Sequence, residues 1–244
     1  MKVRDLLKNQ VCESVLSPVH LSFNIENLDG VFPGFALGDF AVLHGSYAVQ
    51  SLTSLLCVRA QLPYQLGGLE SNVLFVDGGN SFRLYEVSNI AQLHELEPKN
   101  ALERIFVSRA FTAYQLTSTI FDRLQDAIGK YDSRLVVLSD LARLYLDKDV
   151  PKREAKDVFS QLTAFIRDFA QENRVIAIVT YPSHSRSKRN VFFRETIFAR
   201  ANVVASVRRS RYGRQFILEK HPTFRLGKAD FPSENLTLTE FLEA

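Results

Sequence analysis

The chain has 244 residues, 46% of them hydrophobic and 23% charged, which suits one buried core, or one with a small appendage. Its two cysteines, Cys12 and Cys57, fit reduced thiols better than a disulfide framework, MKVRDLLKNQ holds no apolar leader, and no segment reaches membrane-spanning length without charge. The chain therefore reads as soluble and intracellular, cytoplasmic or nucleoid-associated in a prokaryote or nuclear in a eukaryote, with no membrane partner.

The net charge of +3 hides an asymmetry. Nine basic residues lie between Ser183 and Arg214 (Arg186, Lys188, Arg189, Arg194, Arg200, Arg208, Arg209, Arg211 and Arg214) against one acid, Glu195. The rest of the chain is thus mildly acidic. A single basic segment on an acidic body suggests a polyanion footprint, most simply nucleic acid, although a solvated basic face is the commoner reason for such a run.

In chain order, residues 1–22 read as a short N-terminal cap, and the turn chemistry of Leu28-Asp29-Gly30 and Pro33-Gly34 leads into a first strand at Phe40. Phe40 to Leu43 is an apolar run suited to a buried parallel strand, Gly45 opens a turn, and a helix is expected over about Ser51 to Gln61. A P-loop belongs at such a place. It needs a second glycine for the phosphates, a lysine for their charge and a hydroxyl for Mg²⁺. Counted from Gly45, those three places hold Gln50, Ser51 and Leu52.

Asn72 to Asp77 reads as a central strand ending in a carboxylate, Glu86 to Leu96 as a helix, Arg104 to Ser108 as a strand and Tyr114 to Ile128 as an amphipathic helix. Strands follow at Ser133 to Leu138 and Arg174 to Thr180, with a helix from Lys152 to Glu172 between them. Val203 to Arg208 and Gln215 to Glu219 read as a closing antiparallel hairpin, before a polar tail over 223–244. The alternation predicts an α/β core over 23–222, a mostly parallel twisted sheet with helices on both faces.

Four stretches carry a family resemblance: QLPYQLGG at Gln61 to Gly68, VLFVDGGNSFR at Val73 to Arg83, FVSRAF at Phe106 to Phe111 and LVVLSDLARLY at Leu135 to Tyr145. In this order and spacing the chain resembles the ATPase core of the RecA/RadA strand-exchange recombinases and their paralogs, a RecA-like P-loop fold. The resemblance places Gly79 where the family has its catalytic glutamate and Ser139 where it has the Walker B aspartate. Asp140 falls one residue late, expected to face the other way on its strand, and Tyr181 or Pro182 stands at the γ-phosphate sensor. Lysine, Mg²⁺ ligand and water-activating carboxylate are absent together, so the resemblance implies an inactive ATPase with no cofactor.

In the recombinases two loops face DNA. Here the first carries Lys152, Arg153 and Lys156, and the second, SHSRSKRNVFF, carries Arg186, Lys188 and Arg189. With Arg209 and Arg211 these would contact DNA backbone without sequence preference. Phe192 or Phe193 could stack on a base, core burial being the stronger expectation. His184, with no second ligand at metal spacing, reads as a loop residue, and Asp140 as a cap or turn residue. The resemblance implies a structural or mediator subunit in recombination or DNA repair, partnered by DNA and by an active recombinase or another paralog, as a dimer or hetero-oligomer. A protein scaffold without a nucleic-acid role and a nucleotide-responsive switch remain as alternatives.

Overall fold

A computed structural model describes residues 20–211 and 213–231. Its main sheet has eight strands: β3 (Phe40–Gly45), β4 (Asn72–Asp77), β5 (Ile105–Arg109), β6 (Ser133–Ser139), β7 (Ile176–Pro182), β8 (Val203–Ser210), β9 (Gly213–Lys220) and β10 (Gly227–Asp230). Their order across the sheet is β10-β9-β8-β3-β7-β6-β4-β5. From β8 to β5 every pairing is parallel, and β9 and β10 close that side antiparallel. A small ladder joins β1 (His20–Leu21) to β2 (Phe35–Ala36).

Each central strand is apolar on both faces because helices cover both. Ala41, Leu43, Val73, Phe75, Leu135, Val137, Ile176 and Ile178 face one core. That core is shared with α2 (Ala48–Arg59), α3 (Leu84–Leu93) and α4 (Pro98–Glu103). The intervening Phe40, Val42, Leu74, Val76, Val136, Leu138, Ala177 and Val179 face the other. It is filled by α5 (Ala113–Ser118), α6 (Leu124–Tyr131), α7 (Lys152–Asn173) and α8 (Lys188–Arg200). This is the period-two alternation of a sheet buried on both sides. On α7, Ala155, Phe159, Leu162, Ile166 and Phe169 form the buried stripe, and each large side chain there contributes about 1.5–3 kcal/mol. Around β1, β2 and α1 (Glu26–Asp29), the rings of Phe23, Phe32, Phe35 and Phe216 pack mostly edge to face, the closest pair, Phe32 and Phe35, at 4.8 Å.

The expected mostly parallel sheet, two-faced helices and C-terminal hairpin are all present. Several local expectations shift. The helix after Gly45 starts at Ala48 rather than Ser51. The expected single helix over 114–128 is α5 and α6 joined through a π turn at Thr119–Arg123. The stretch read as a basic loop through Phe193 becomes helical at Lys188, because Ser187 Oγ caps it by accepting from Asn190 N at 3.1 Å. Lys152, Arg153 and Lys156 lie on the first turns of α7, which starts at the expected Lys152, so the DNA-facing loop that the resemblance implied there ends before them. The stretch read as a tail supplies β10, and residues 1–19 of the expected cap and 232–244 of the tail lie outside the described residues.

Candidate functional site

The carboxyl ends of β3, β4, β6 and β7 meet along one edge of the sheet, where α/β proteins place their ligands. Only Ser46 and Tyr47 separate β3 from α2. Gly45 takes φ +106°, and a Cβ there would stand 2.4 Å from the carbonyl oxygen of Val207, so the backbones of β3 and β8 meet at a point only glycine permits. Ser46 N donates to that same Val207 oxygen at 2.8 Å. Val49 N donates to Ser46 O at 3.1 Å, Gln50 N to Tyr47 O at 3.0 Å and Ala48 N to Ser46 Oγ at 3.3 Å. A phosphate cradle depends on consecutive backbone amides turned toward an anion. Here the amides of Ser46, Ala48, Val49 and Gln50 already have protein acceptors.

The side chains after the turn are equally engaged. Gln50 Oε1 accepts from Arg83 at 3.1 Å, Arg83 faces Glu86 at 3.9 Å, and Glu86 accepts from Ser54 Oγ at 3.0 Å. This chain of contacts joins the start of α2 to the start of α3. Ser51 is half-buried, and Leu52 belongs to the core.

At the end of β4, the buried Asp77 organises the loop that follows it. Its carboxylate accepts from Gly79 N at 3.3 Å, Ser81 N at 2.9 Å and Phe82 N at 3.2 Å, and Arg109 lies 3.6 Å away. The hydroxyls of Ser81 and Ser139 share a short hydrogen bond. β6 ends at Ser139, so Asp140 is not a strand residue facing the opposite way as expected. It sits in the left-handed region at φ +48°, in the turn that ends the strand. Its amide donates to Thr180 Oγ1 at 2.8 Å, and its carboxylate pairs with His184 Nε2 at 2.7 Å. A Cβ on Gly79 would stand 2.6 Å from Asp140 Cβ, so Asp140 occupies the space a side chain at 79 would need. Tyr181 is buried, its phenol bonds Asn190, and burial pushes its ionisation above the usual tyrosine range. Pro182 ends β7 beside Gly45. Among the described residues no three His, Cys, Asp or Glu side chains converge as a metal site requires.

The basic residues divide into two kinds. Lys152, Arg153, Arg186 and Lys188 are exposed at the starts of α7 and α8, with Arg153 3.9 Å from Asp157. These two helices pack together, and the Lys156 ammonium of one sits 4.7 Å from the Phe192 ring of the other. A cleft of about 380 Å³ at the start of α8 is lined by Arg186, Ser187, Lys188, Val191, Phe192 and the acid Glu195. The two basic stretches, well separated along the chain, thus contribute to one surface. Phe193 is core, 4.3 Å from Phe159.

Arg189 behaves differently. It donates to the carbonyls of Tyr145 at 2.9 Å, Asp147 at 2.7 Å and Val150 at 3.0 Å, tying down the segment between β6 and α7. Arg209 and Arg211 are exposed at the end of β8 and in the turn beyond it. On the same hairpin, Glu219 accepts from His44 at 2.8 Å, from Ser206 at 2.8 Å and from Arg208.

Of the residues singled out in the sequence, Gly45, Gln50 and Ser139 lie along the strand-end edge, and Lys152, Arg153, Arg186, Lys188, Arg209 and Arg211 are exposed. Sequence reasoning missed the Asp140–His184 pair, the Arg83 contact and the inward role of Arg189. The first of these joins the ends of two neighbouring strands, and only the strand order could have signalled it.

Comparison with known proteins bears on the whole arrangement. The Rad51 family matches residues 19–196. The chain is also 29% identical over 90 residues to the meiotic recombination protein DMC1 of Saccharomyces cerevisiae, a stretch covering 37% of this chain and 27% of that protein. The family match runs from β1 through most of α8, taking in the ends of β3 to β7 but not β8, β9 or β10, and on that extent the chain belongs to the Rad51 family of RecA-like recombinases.

Proposed function

We propose that the chain is a non-catalytic Rad51-family paralog that acts in homologous recombination or DNA repair as a DNA-binding structural or mediator subunit. The observation that carries this reading is the two-residue turn after Gly45: Ser46 N is bonded to Val207 O, and the first amides of α2, at Ala48, Val49 and Gln50, are bonded back to Ser46 and Tyr47. Gln50 in place of the second P-loop glycine, Ser51 in place of its lysine, Leu52 in the core, and Ser139 and Gly79 in place of carboxylates agree with it. Phosphoryl transfer needs positioning and charge neutralisation together, and these residues supply neither.

Contact with DNA falls to Lys152, Arg153, Lys156, Arg186 and Lys188 on the α7–α8 surface, with Arg209 and Arg211 on the hairpin. Such cations meet phosphates without reading bases, so affinity falls steeply with salt. Tyr47, Tyr85, Phe111 and Tyr114 are exposed on the segments that follow β3, β4 and β5, which suits a protein partner from the same family at that edge. The test is fluorescence anisotropy with labelled DNA across a salt series, comparing wild type with K152E/R153E/R186E/K188E. The reading requires a lower slope of log K against log salt in the variant, by about 0.9 for each DNA phosphate that the variant leaves unneutralised. An unchanged slope with unchanged affinity would transfer the basic surface to an acidic protein partner.

A further inference from the structure

We propose that a cavity at the far end of α2 from the Gly45 turn binds a small oxyanion, a phosphate or carboxylate group, on Arg59. Arg59 is the last residue of the twelve-residue α2, about 18 Å along the helix from its start at 1.5 Å per residue. The site is therefore separate from the edge where the strand ends converge. The cavity has a volume of about 350 Å³, with Arg59 and His94 among its inner lining and Ser22, Asn24, Gln65 and Leu66 around it.

Arg59 is only 1% exposed, yet its guanidinium has no ion-pair partner within 4.0 Å among the described residues. It donates to Ser22 O at 2.6 Å, Ser22 Oγ at 3.2 Å and Leu66 O, all uncharged acceptors. A buried guanidinium held only by neutral groups is costly, and in most proteins such a cation faces an anion. Asp29 is the carboxylate that acts on it electrostatically, but it stands beyond ion-pair distance and does not line the cavity.

His94 supplies an independent sign. Its Nε2 is buried without a hydrogen-bond partner among the described residues. Burial and the nearby Arg59 charge pull its ionisation down to about 4, so at neutral pH the ring is an uncharged donor or acceptor. One cation and one neutral imidazole at the inner wall, with the amides of Asn24 and Gln65 outside them, match a monoanion that needs several hydrogen bonds. Asp29 nearby disfavours a more highly charged guest. Such an oxyanion would reach the cavity from solution past Asn24 and Gln65, both exposed.

The test is thermal melting of the full chain in inorganic phosphate, with sodium chloride balancing ionic strength, for wild type and Q65E. Gln65 is exposed at the mouth, so Q65E adds a repelling carboxylate without touching Arg59. A saturable rise of Tm in wild type, with phosphate bound at least about tenfold more weakly in Q65E, is the expected result. Equal rises in wild type and Q65E would mean general stabilisation by phosphate and would overturn the proposal, as would no rise in wild type.

Discussion

Replacing Asp29 by asparagine should stabilise the protein at neutral pH, an unusual outcome for removing a charge next to an arginine. Burial raises the Asp29 carboxyl from its ordinary 3.8 to about 6, only partly opposed by Arg59 and by the backbone of Phe23, Asn24 and Ile25. One oxygen of the carboxylate, Oδ1, is buried without a partner among the described residues. Between those two pH values the folded chain holds a proton that the unfolded chain has released. Stability therefore falls as pH rises from about 4 to about 6, and the whole cost is in place at pH 7. A difference of about 2 in pKa corresponds to about 3 kcal/mol as an upper limit, which partial solvent access reduces to about 1–2 kcal/mol. Urea unfolding of wild type and D29N from pH 4 to pH 8 measures it. The two proteins should have similar stability near pH 4, with D29N more stable by about 1–2 kcal/mol at pH 7. Parallel pH profiles, or a D29N protein weaker at pH 7, would refute the reasoning.

Glu219 has the opposite sign: burial alone would raise its carboxyl, but hydrogen bonds from His44 and Ser206 and the charges of His44 and Arg208 bring it down to about 2. Its stabilisation is complete above about 4.5 and is lost as pH falls toward 2, so E219Q should cost about 1–2 kcal/mol at pH 7 and flatten the acid limb of the unfolding profile. Arg189→Ala should cost about 2–4 kcal/mol in chemical denaturation by freeing three carbonyls, while Lys188→Ala next to it should change stability by less than about 0.5 kcal/mol. Gly79→Glu restores the family's carboxylate in sequence but drives a side chain into Asp140, so it should lose about 1–3 kcal/mol in the same assay and gain no ATP hydrolysis in a phosphate-release assay.

The sheet was legible because its strands are buried on both faces. Asn72–Asp77 has the bounds its apolar run announces, and β6 and β7 differ from expectation by one or two residues at their ends. α7 was equally clear, since its apolar residues repeat at helical spacing over twenty-two positions. α8 was not: its first turn is basic and polar, and the signal for its start is a single capping serine. α4 escaped because six residues are too few to show a period, although Glu97 caps it and Pro98 stands at its first position. At the candidate site, residue identities were readable but their partners were not. Nothing local to Ser46 announces that Val207 accepts from its amide, and nothing local to Asp140 announces His184. Those contacts follow from β3 lying between β7 and β8, and from β6 lying beside β7.

The most direct test of the account is DNA binding by the purified chain with and without ATP and Mg²⁺, followed by fluorescence anisotropy on labelled single- and double-stranded DNA across a salt series. The account predicts salt-sensitive binding with superimposable isotherms in the presence and absence of nucleotide. Binding that required ATP would contradict the reading of the Gly45 turn, and no binding at low salt would contradict the role assigned to the α7–α8 surface.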